Sequence, residues 1–142
     1  MTRGEYVHLT YSLNPHLRAE DVAALRIAVG WDAREDKLRK IIGNTYLTGV
    51  CYDLDRLVGF VDVISDGVDD ALVRNLLVHP DYRGRGIALA LLKMIISKTR
   101  EDNIKTVNVL FEPELTELYY KAGFRIIGGG MIDNEAEELA EK

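Results

Sequence analysis

Residues 79–92 read HPDYRGRGIALALL, and their reading decides the architecture. The run before them, Ala71 to Val78, is apolar enough for a strand. Pro80 cannot continue a strand ladder, because it has no N–H to donate. Beyond the glycines, Ile87, Leu91, Met94 and Ile95 recur with few polar interruptions. That spacing predicts a long helix over Gly84–Arg100, buried on both flanks. A further strand is predicted over Thr106–Phe111. Strand, helix and strand in this order call for a parallel pair joined by a right-handed crossover.

Working outward, Tyr6 to Tyr11 alternate enough for a first strand. Val22, Leu25, Ile27 and Ala28 predict a helix over Ala19–Ala28, closed by Gly30. A second short helix is predicted over Glu35–Ile42, ending at Gly43-Asn44. Leu47–Tyr52 and Leu57–Ile64 read as strands around the turn Asp53-Leu54-Asp55-Arg56, and Asp66-Gly67 turns the chain into Ala71–Val78. After the crossover come a helix over Glu114–Ala122, stopped by Gly123, and a strand over Phe124–Ile132 bent at Gly128-Gly129-Gly130. The expected class is therefore α/β (mixed α+β), with one mixed, mostly antiparallel sheet and helices on both faces. The chain has 142 residues, which suits one domain over 1–142. Its polar, acidic end, about 133–142, is expected to be a solvated helix or a frayed end.

A formal net charge of −5 argues against a general nucleic-acid binder, which needs clustered basic surface. It is compatible with a local cationic pocket and hints at a cationic substrate. The single cysteine, Cys51, excludes an intrachain disulfide and a cysteine-rich metal site, and its apolar neighbours predict a small buried side chain. His8 and His16 lack metal-ligand spacing, so no metal is expected. The N-terminal stretch has no apolar signal core, and no window approaches the ~20 apolar residues of a membrane span. The expected location is cytoplasmic, with no membrane partner.

The junction at 83–89 carries the chemistry. A helix start presents unpaired N–H groups and the positive end of the macrodipole. Gly84 and Gly86 clear side chains from those groups, and Arg83 and Arg85 add positive charge. The pattern suits a phosphate or pyrophosphate, or else a plain glycine-rich helix start with solvated arginines. No G-x-x-x-x-G-K-[ST] loop is present. A dinucleotide loop, G-x-G-x-x-G, fails where Leu89 replaces the third glycine.

Arg83-Gly84-Arg85-Gly86-Ile87-Ala88 resembles the [QR]-x-x-G-x-[GA] signature of the GNAT superfamily of acyl-CoA N-acyltransferases. Leu76 to Tyr82 looks like the strand and turn preceding it there. Tyr119-Tyr120-Lys121-Ala122-Gly123-Phe124 resembles the family's Y-x-K-x-G-F segment. Leu25 to Trp31 and Leu57-Val58-Gly59-Phe60 share its look, so the likeness spans nearly the whole chain.

The resemblance implies that the amides of Gly84, Arg85, Gly86, Ile87, Ala88 and Leu89, with Arg83 alongside, bind the pyrophosphate of acetyl-CoA. It implies that Leu76, Leu77 and Val78 pair with the pantetheine arm, and that a backbone N–H near Leu77 or Val78 serves the oxyanion. Tyr119 is the implied proton donor to the departing thiolate. Helical geometry puts Leu115, Leu118, Tyr119 and Ala122 on one face, with Tyr120 about 100° away. Asp62, Asp66 and Glu112 are candidates for the base, directly or through water. Glu112 stands where many relatives carry an asparagine, and a carboxylate cannot donate that contact. His79, beside Pro80, reads as a turn residue.

The expected function is acetyl transfer from acetyl-CoA to an amine acceptor, a small molecule before a protein, with a homodimer left open. A non-catalytic acyl-CoA-binding module and a nucleotide-binding oxidoreductase are the alternatives. Trp31 and Tyr46 are expected to line the acceptor site.

Overall fold

The structure, a computed structural model, describes residues 7–135. The chain forms two compact units that divide between Val109 and Leu110. The first contains strands β1 (Leu9–Leu13), β2 (Leu47–Asp53), β3 (Arg56–Ser65), β4 (Asp70–Val78) and β5 (Thr106–Val109). It also contains helices α1 (Ala19–Ala28), α2 (Glu35–Ile41) and α3 (Ile87–Glu101). The second contains a 3₁₀ turn, Pro113–Leu115, and helix α4 (Thr116–Ala122).

The five strands lie in chain order, β1-β2-β3-β4-β5. The first three pairings are antiparallel, and β4–β5 is parallel. Local chemistry sets the turns. Leu54 takes φ 53°, so two residues, Leu54 and Asp55, reverse the chain between Asp53 and Arg56. Between β3 and β4, Asp66 Oδ1 accepts the amides of Val68 and Asp69 at 2.9 and 2.8 Å, while Gly67 takes φ 77°. This is an Asx-type turn. Beyond α1, Gly30 at φ 90° turns the chain so that the Trp31 amide reaches the Arg26 carbonyl at 2.9 Å.

Strand alternation puts a helix on each face of the sheet. Val50, Phe60 and Leu77 join Val22, Ala23 and Leu25 of α1 and Leu38 of α2 in one buried cluster. Gly49 and Gly59, the neighbours of Val50 and Phe60, face α3. A Cβ on Gly59 would stand 2.9 Å from Ile87 Cγ2 and 3.1 Å from Leu91 Cδ1. The missing side chain is what lets α3 sit so close. Gly59→Ala should therefore overpack this layer and cost about 1–3 kcal/mol, read as a lower urea midpoint with unchanged m.

Several sequence boundaries move. The first strand begins at Leu9; Tyr6 lies outside the described residues. The long helix begins at Ile87 rather than Gly84, because both glycines take left-handed φ angles that a helix cannot use. The strand predicted to Phe111 stops at Val109. The last helix starts at Thr116, where the hydroxyl donates to the Pro113 carbonyl at 2.6 Å across the 3₁₀ turn. Residues 124–132 are not a strand. They have no ladder partner among the described residues, and three consecutive glycines supply no side chains to hold an extended line. Of the acidic tail, residues 136–142 lie outside the described residues.

Candidate active site

The parallel ladder between β4 and β5 lasts four pairs, ending at Val73↔Val109, yet β4 runs on to Val78. The change occurs at Asn75, whose φ is 55°. On the other side, β4 skips register against β3 between Phe60 and Asp62. Asn75 is thus the extra residue of a bulge, and asparagine tolerates the left-handed region better than most residues. Beyond it, Leu77 and Val78 pair with Phe60 and Gly59 of β3 on one side, and Leu76, Leu77 and Val78 have no β5 partner on the other. Leu77 turns its side chain into the core, at 2% exposure, so its backbone is what it can offer a ligand.

A buried ion pair holds this bulge. Asp62 is 2% exposed and receives Arg74 through both oxygens, Nε to Oδ1 at 3.2 Å and Nη2 to Oδ2 at 2.9 Å. The Asn75 amide group adds a longer bond to Oδ1 at 3.4 Å. Burial pushes the Asp62 carboxyl above its ordinary range, against the pull of Arg74 and Asn75. Both oxygens are committed to Arg74, which makes Asp62 a clamp on the bulge rather than a ready base. Asp66 is committed as well, to the turn amides that hold its carboxyl below the usual range.

After β4 the chain makes a 3₁₀ turn, Pro80–Tyr82, with the Asp81 amide donating to His79 Nδ1 at 3.1 Å. His79 is the turn residue the sequence suggested. Tyr82 is buried and donates its hydroxyl to Asp53 at 2.5 Å, and Arg85 lies over its ring at 5.9 Å. Gly84 and Gly86 then take φ 79° and 76°, with nothing within 4 Å of where a Cβ would stand. Their need is conformational: a side chain would fit but strain the backbone. The first α3 amide with a backbone acceptor is Ala90, which donates to Gly86 at 3.0 Å. The amides of Ile87, Ala88 and Leu89 have none among the described residues, and no side chain caps them. A 15-residue helix therefore presents an uncapped positive end beside the open edge of β4.

In the second unit, Tyr119 is 3% exposed and Tyr120 70%, the separation that helical phase predicted. Tyr119 stacks on Phe111 at 4.6 Å and meets the edge of Phe124 at 5.6 Å. Gly123 at φ 107° ends α4 and lets the Phe124 amide return to the Tyr119 carbonyl at 3.0 Å. The Tyr119 hydroxyl has no hydrogen-bond partner among the described residues. No fully buried side-chain oxygen is left without one, so this hydroxyl reaches the surface. Burial alone raises its pKa. Glu112 is exposed, and its carbonyl accepts the Leu115 amide at 2.9 Å.

Two residues expected around an acceptor are otherwise employed. Tyr46 donates to Asp102 at the end of α3, at 2.5 Å, and Trp31 lies 5.0 Å from the Arg26 guanidinium. Cys51 is fully buried. No cluster of three His, Cys, Asp or Glu suited to a metal occurs among the described residues. Nor is any helix among them long and apolar enough to cross a membrane.

The family model described as an acetyltransferase (GNAT) domain matches residues 17–136. The uncharacterized N-acetyltransferase ycf52 of Gracilaria tenuistipitata var. liui is 31% identical over 127 residues, covering 86% of this chain and 70% of that one. A Staphylococcus aureus structure described as a probable acetyltransferase superposes with TM-score 0.78 at 27% identity, covering 91% of this chain and 99% of its own. A Clostridium acetobutylicum protein, described as a predicted acetyltransferase and solved with acetyl-CoA, superposes with TM-score 0.68. It is 17% identical and covers 92% of this chain and 98% of its own, a likeness of fold.

Proposed function

The chain belongs to the GNAT acetyltransferase family, and from that premise we propose that it transfers the acetyl group of acetyl-CoA directly to an amine, a small molecule before a protein. The observation that carries the reading is the pairing of an interrupted strand with an uncapped helix. The β4–β5 ladder stops at Val73 just where Asn75 turns left-handed, and α3 begins nearby with three unpaired amides. An extended arm bearing amides suits the first, and a diphosphate suits the second. The donor supplies an activated thioester carbonyl.

In this proposal Leu76, Leu77 and Val78 align the arm by backbone bonds, and an amide near Leu77 or Val78 receives the developing oxyanion. Gly84 through Leu89 bind the diphosphate, assisted by Arg83 and Arg85. A neutral amine nitrogen forms the new bond to the carbonyl carbon, the carbon–sulfur bond breaks, and Tyr119 gives its proton to the leaving sulfur. Burial holds the Tyr119 phenol above its ordinary ~10, so it keeps its proton at neutral pH for a leaving thiolate whose own value is ~8.5. The proton released by the amine goes to water or to Glu112, since Asp62 and Asp66 are already engaged. The acidic balance of the chain, −5, favours a cationic acceptor. We take the catalytic domain to span 1–142. The proposal takes the compartment to be the cytoplasm.

The test is thiol release from acetyl-CoA across a panel of amines, with calorimetry using desulfo-CoA and NAD. Turnover with at least one amine and binding of desulfo-CoA, not NAD, are expected. Tight acetyl-CoA binding without turnover on any amine would replace the enzyme by a binding module. Gly86→Ala should weaken desulfo-CoA about tenfold, as the helix entry relaxes away from a strained left-handed alanine costing about 1–2 kcal/mol. Unchanged calorimetric affinity would remove the loop from the binding site.

A further inference from the structure

No atom stands within 4 Å of where a Cβ on Gly84 or Gly86 would lie, so side-chain packing does not place the glycine loop. Where its amides point is settled at its root, residues 79–83. That root is tied to the sheet in three ways. The His79 amide donates to the Val58 carbonyl of β3 at 2.8 Å. His79 Nε2 lies 2.9 Å from Arg56 Nη2, at the start of the same strand. The Tyr82 hydroxyl donates to Asp53 Oδ2 at 2.5 Å, across a separation of 29 residues in the chain. Asp53 is the last residue of β2, and its other oxygen accepts the His8 amide at 3.0 Å. The donated bonds of Tyr82 and His8 hold the Asp53 carboxyl below its usual range, and the same Asp53 bond raises the Tyr82 phenol. An ionised acceptor thus meets a protonated donor, the stronger kind of hydrogen bond.

The Tyr82 ring gathers the surrounding charge. It is 6% exposed and meets the His79 ring edge-on at 5.7 Å. The guanidiniums of Arg56 and Arg85 lie over it, 5.7 and 5.9 Å from its centroid, where the ring draws a cation. Arg85 belongs to the loop itself, between the two glycines. A phenylalanine would fill the same space, so burial alone does not call for the hydroxyl. We propose that Tyr82, locked by Asp53, is the positioning residue of the glycine loop, setting the amides of residues 84–89 and the Arg85 guanidinium for the diphosphate of the acyl-CoA donor. The inference rests on the acetyl-CoA reading above. Both residues act through the loop, which they fix before the donor arrives, so that binding does not spend its own energy on ordering it.

The test is calorimetry with desulfo-CoA on the full chain, on Tyr82→Phe, on Asp53→Ala and on the double variant. Each single change should weaken binding about tenfold, the worth of one hydrogen bond to a charged group. The double variant should bind no more weakly than either, because both break the same bond. Asp53→Asn keeps an oxygen that can accept the phenol, and it should recover most of the affinity. In turnover the loss should appear in the KM for acetyl-CoA rather than in kcat. A merely structural tyrosine would lower the melting temperature and leave the affinity alone. Tyr82→Phe with wild-type affinity overturns the proposal, and so do losses that add in the double variant. If Asp53→Ala does not fold, Tyr82→Phe decides alone, with Asp53→Asn adding nothing in its background. A wild type that fails to bind desulfo-CoA removes the acetyl-CoA reading and this inference together. A wild type that binds, with variants that bind equally well, removes this inference only.

Discussion

Tyr119→Phe should lower kcat by about 10²- to 10³-fold while leaving the KM for acetyl-CoA nearly unchanged. The substitution keeps the ring, so the stack on Phe111 and the edge contact with Phe124 survive. It removes only a hydroxyl without a hydrogen-bond partner among the described residues, so the melting temperature should hardly move. The loss then reports proton donation rather than packing. The pH profile gives a second reading. Because burial holds the Tyr119 phenol above its ordinary value, wild-type kcat should keep its acid through neutral pH and fall only in the alkaline range beyond that of an ordinary phenol. In Tyr119→Phe that alkaline limb should vanish. Steady-state kinetics over the pH range check both, and a phenylalanine enzyme with wild-type kcat would end the assignment.

The second large effect is on stability. Arg74→Met should cost about 3 kcal/mol at neutral pH, because it strands the Asp62 carboxylate at 2% exposure without its bidentate partner. Burial already holds the folded Asp62 carboxyl above its unfolded value, so the folded chain takes up this proton more readily. For this group, stability is fullest below the unfolded value of about 3.9 and falls as pH rises through the folded one. Arg74 offsets part of that fall, and methionine does not. The penalty of Arg74→Met should therefore shrink as pH drops toward 4, measured by urea unfolding at pH 7 and near pH 4.5. A penalty equal at both would mean that Arg74 acts by packing alone. With the clamp gone, the bulge at Asn75 loses a constraint, and kcat should drop along with stability.

Local chemistry was readable from the sequence, and long-range partnership was not. The helix over Ala19–Ala28 and the turns at Leu54 and Asp66 depend on residues within a few positions, and they stand close to where the pattern puts them. The phase that separates Tyr119 from Tyr120 is equally local. Arg74 and Asp62 lie twelve residues apart on different strands, and nothing in either neighbourhood names the other. The bulge did leave a trace, the polar pair Arg74-Asn75 interrupting the run between Ala71-Leu72-Val73 and Leu76-Leu77-Val78, and that was the available signal. The error at 124–132 has a different origin. Residue pattern reports what a segment could pair as, whereas a strand exists only where a second strand meets it.

A sheet whose spatial order equals its chain order, β1 through β5, also has a simple way of being assembled. Each strand from β2 to β4 meets the one made just before it, across connections that are mostly short, so the antiparallel part can zip along the chain. Two edges must wait: β1 for α1 and α2, which separate Leu13 from Leu47, and β5 for α3, which has to be placed before Thr106 can reach Asp70. Loop-closure entropy grows slowly with length but is spent before any contact repays it. The two edge seams, β1–β2 and the four-pair parallel ladder, are thus the last to close in folding, and by the same logic the first to open in local unfolding.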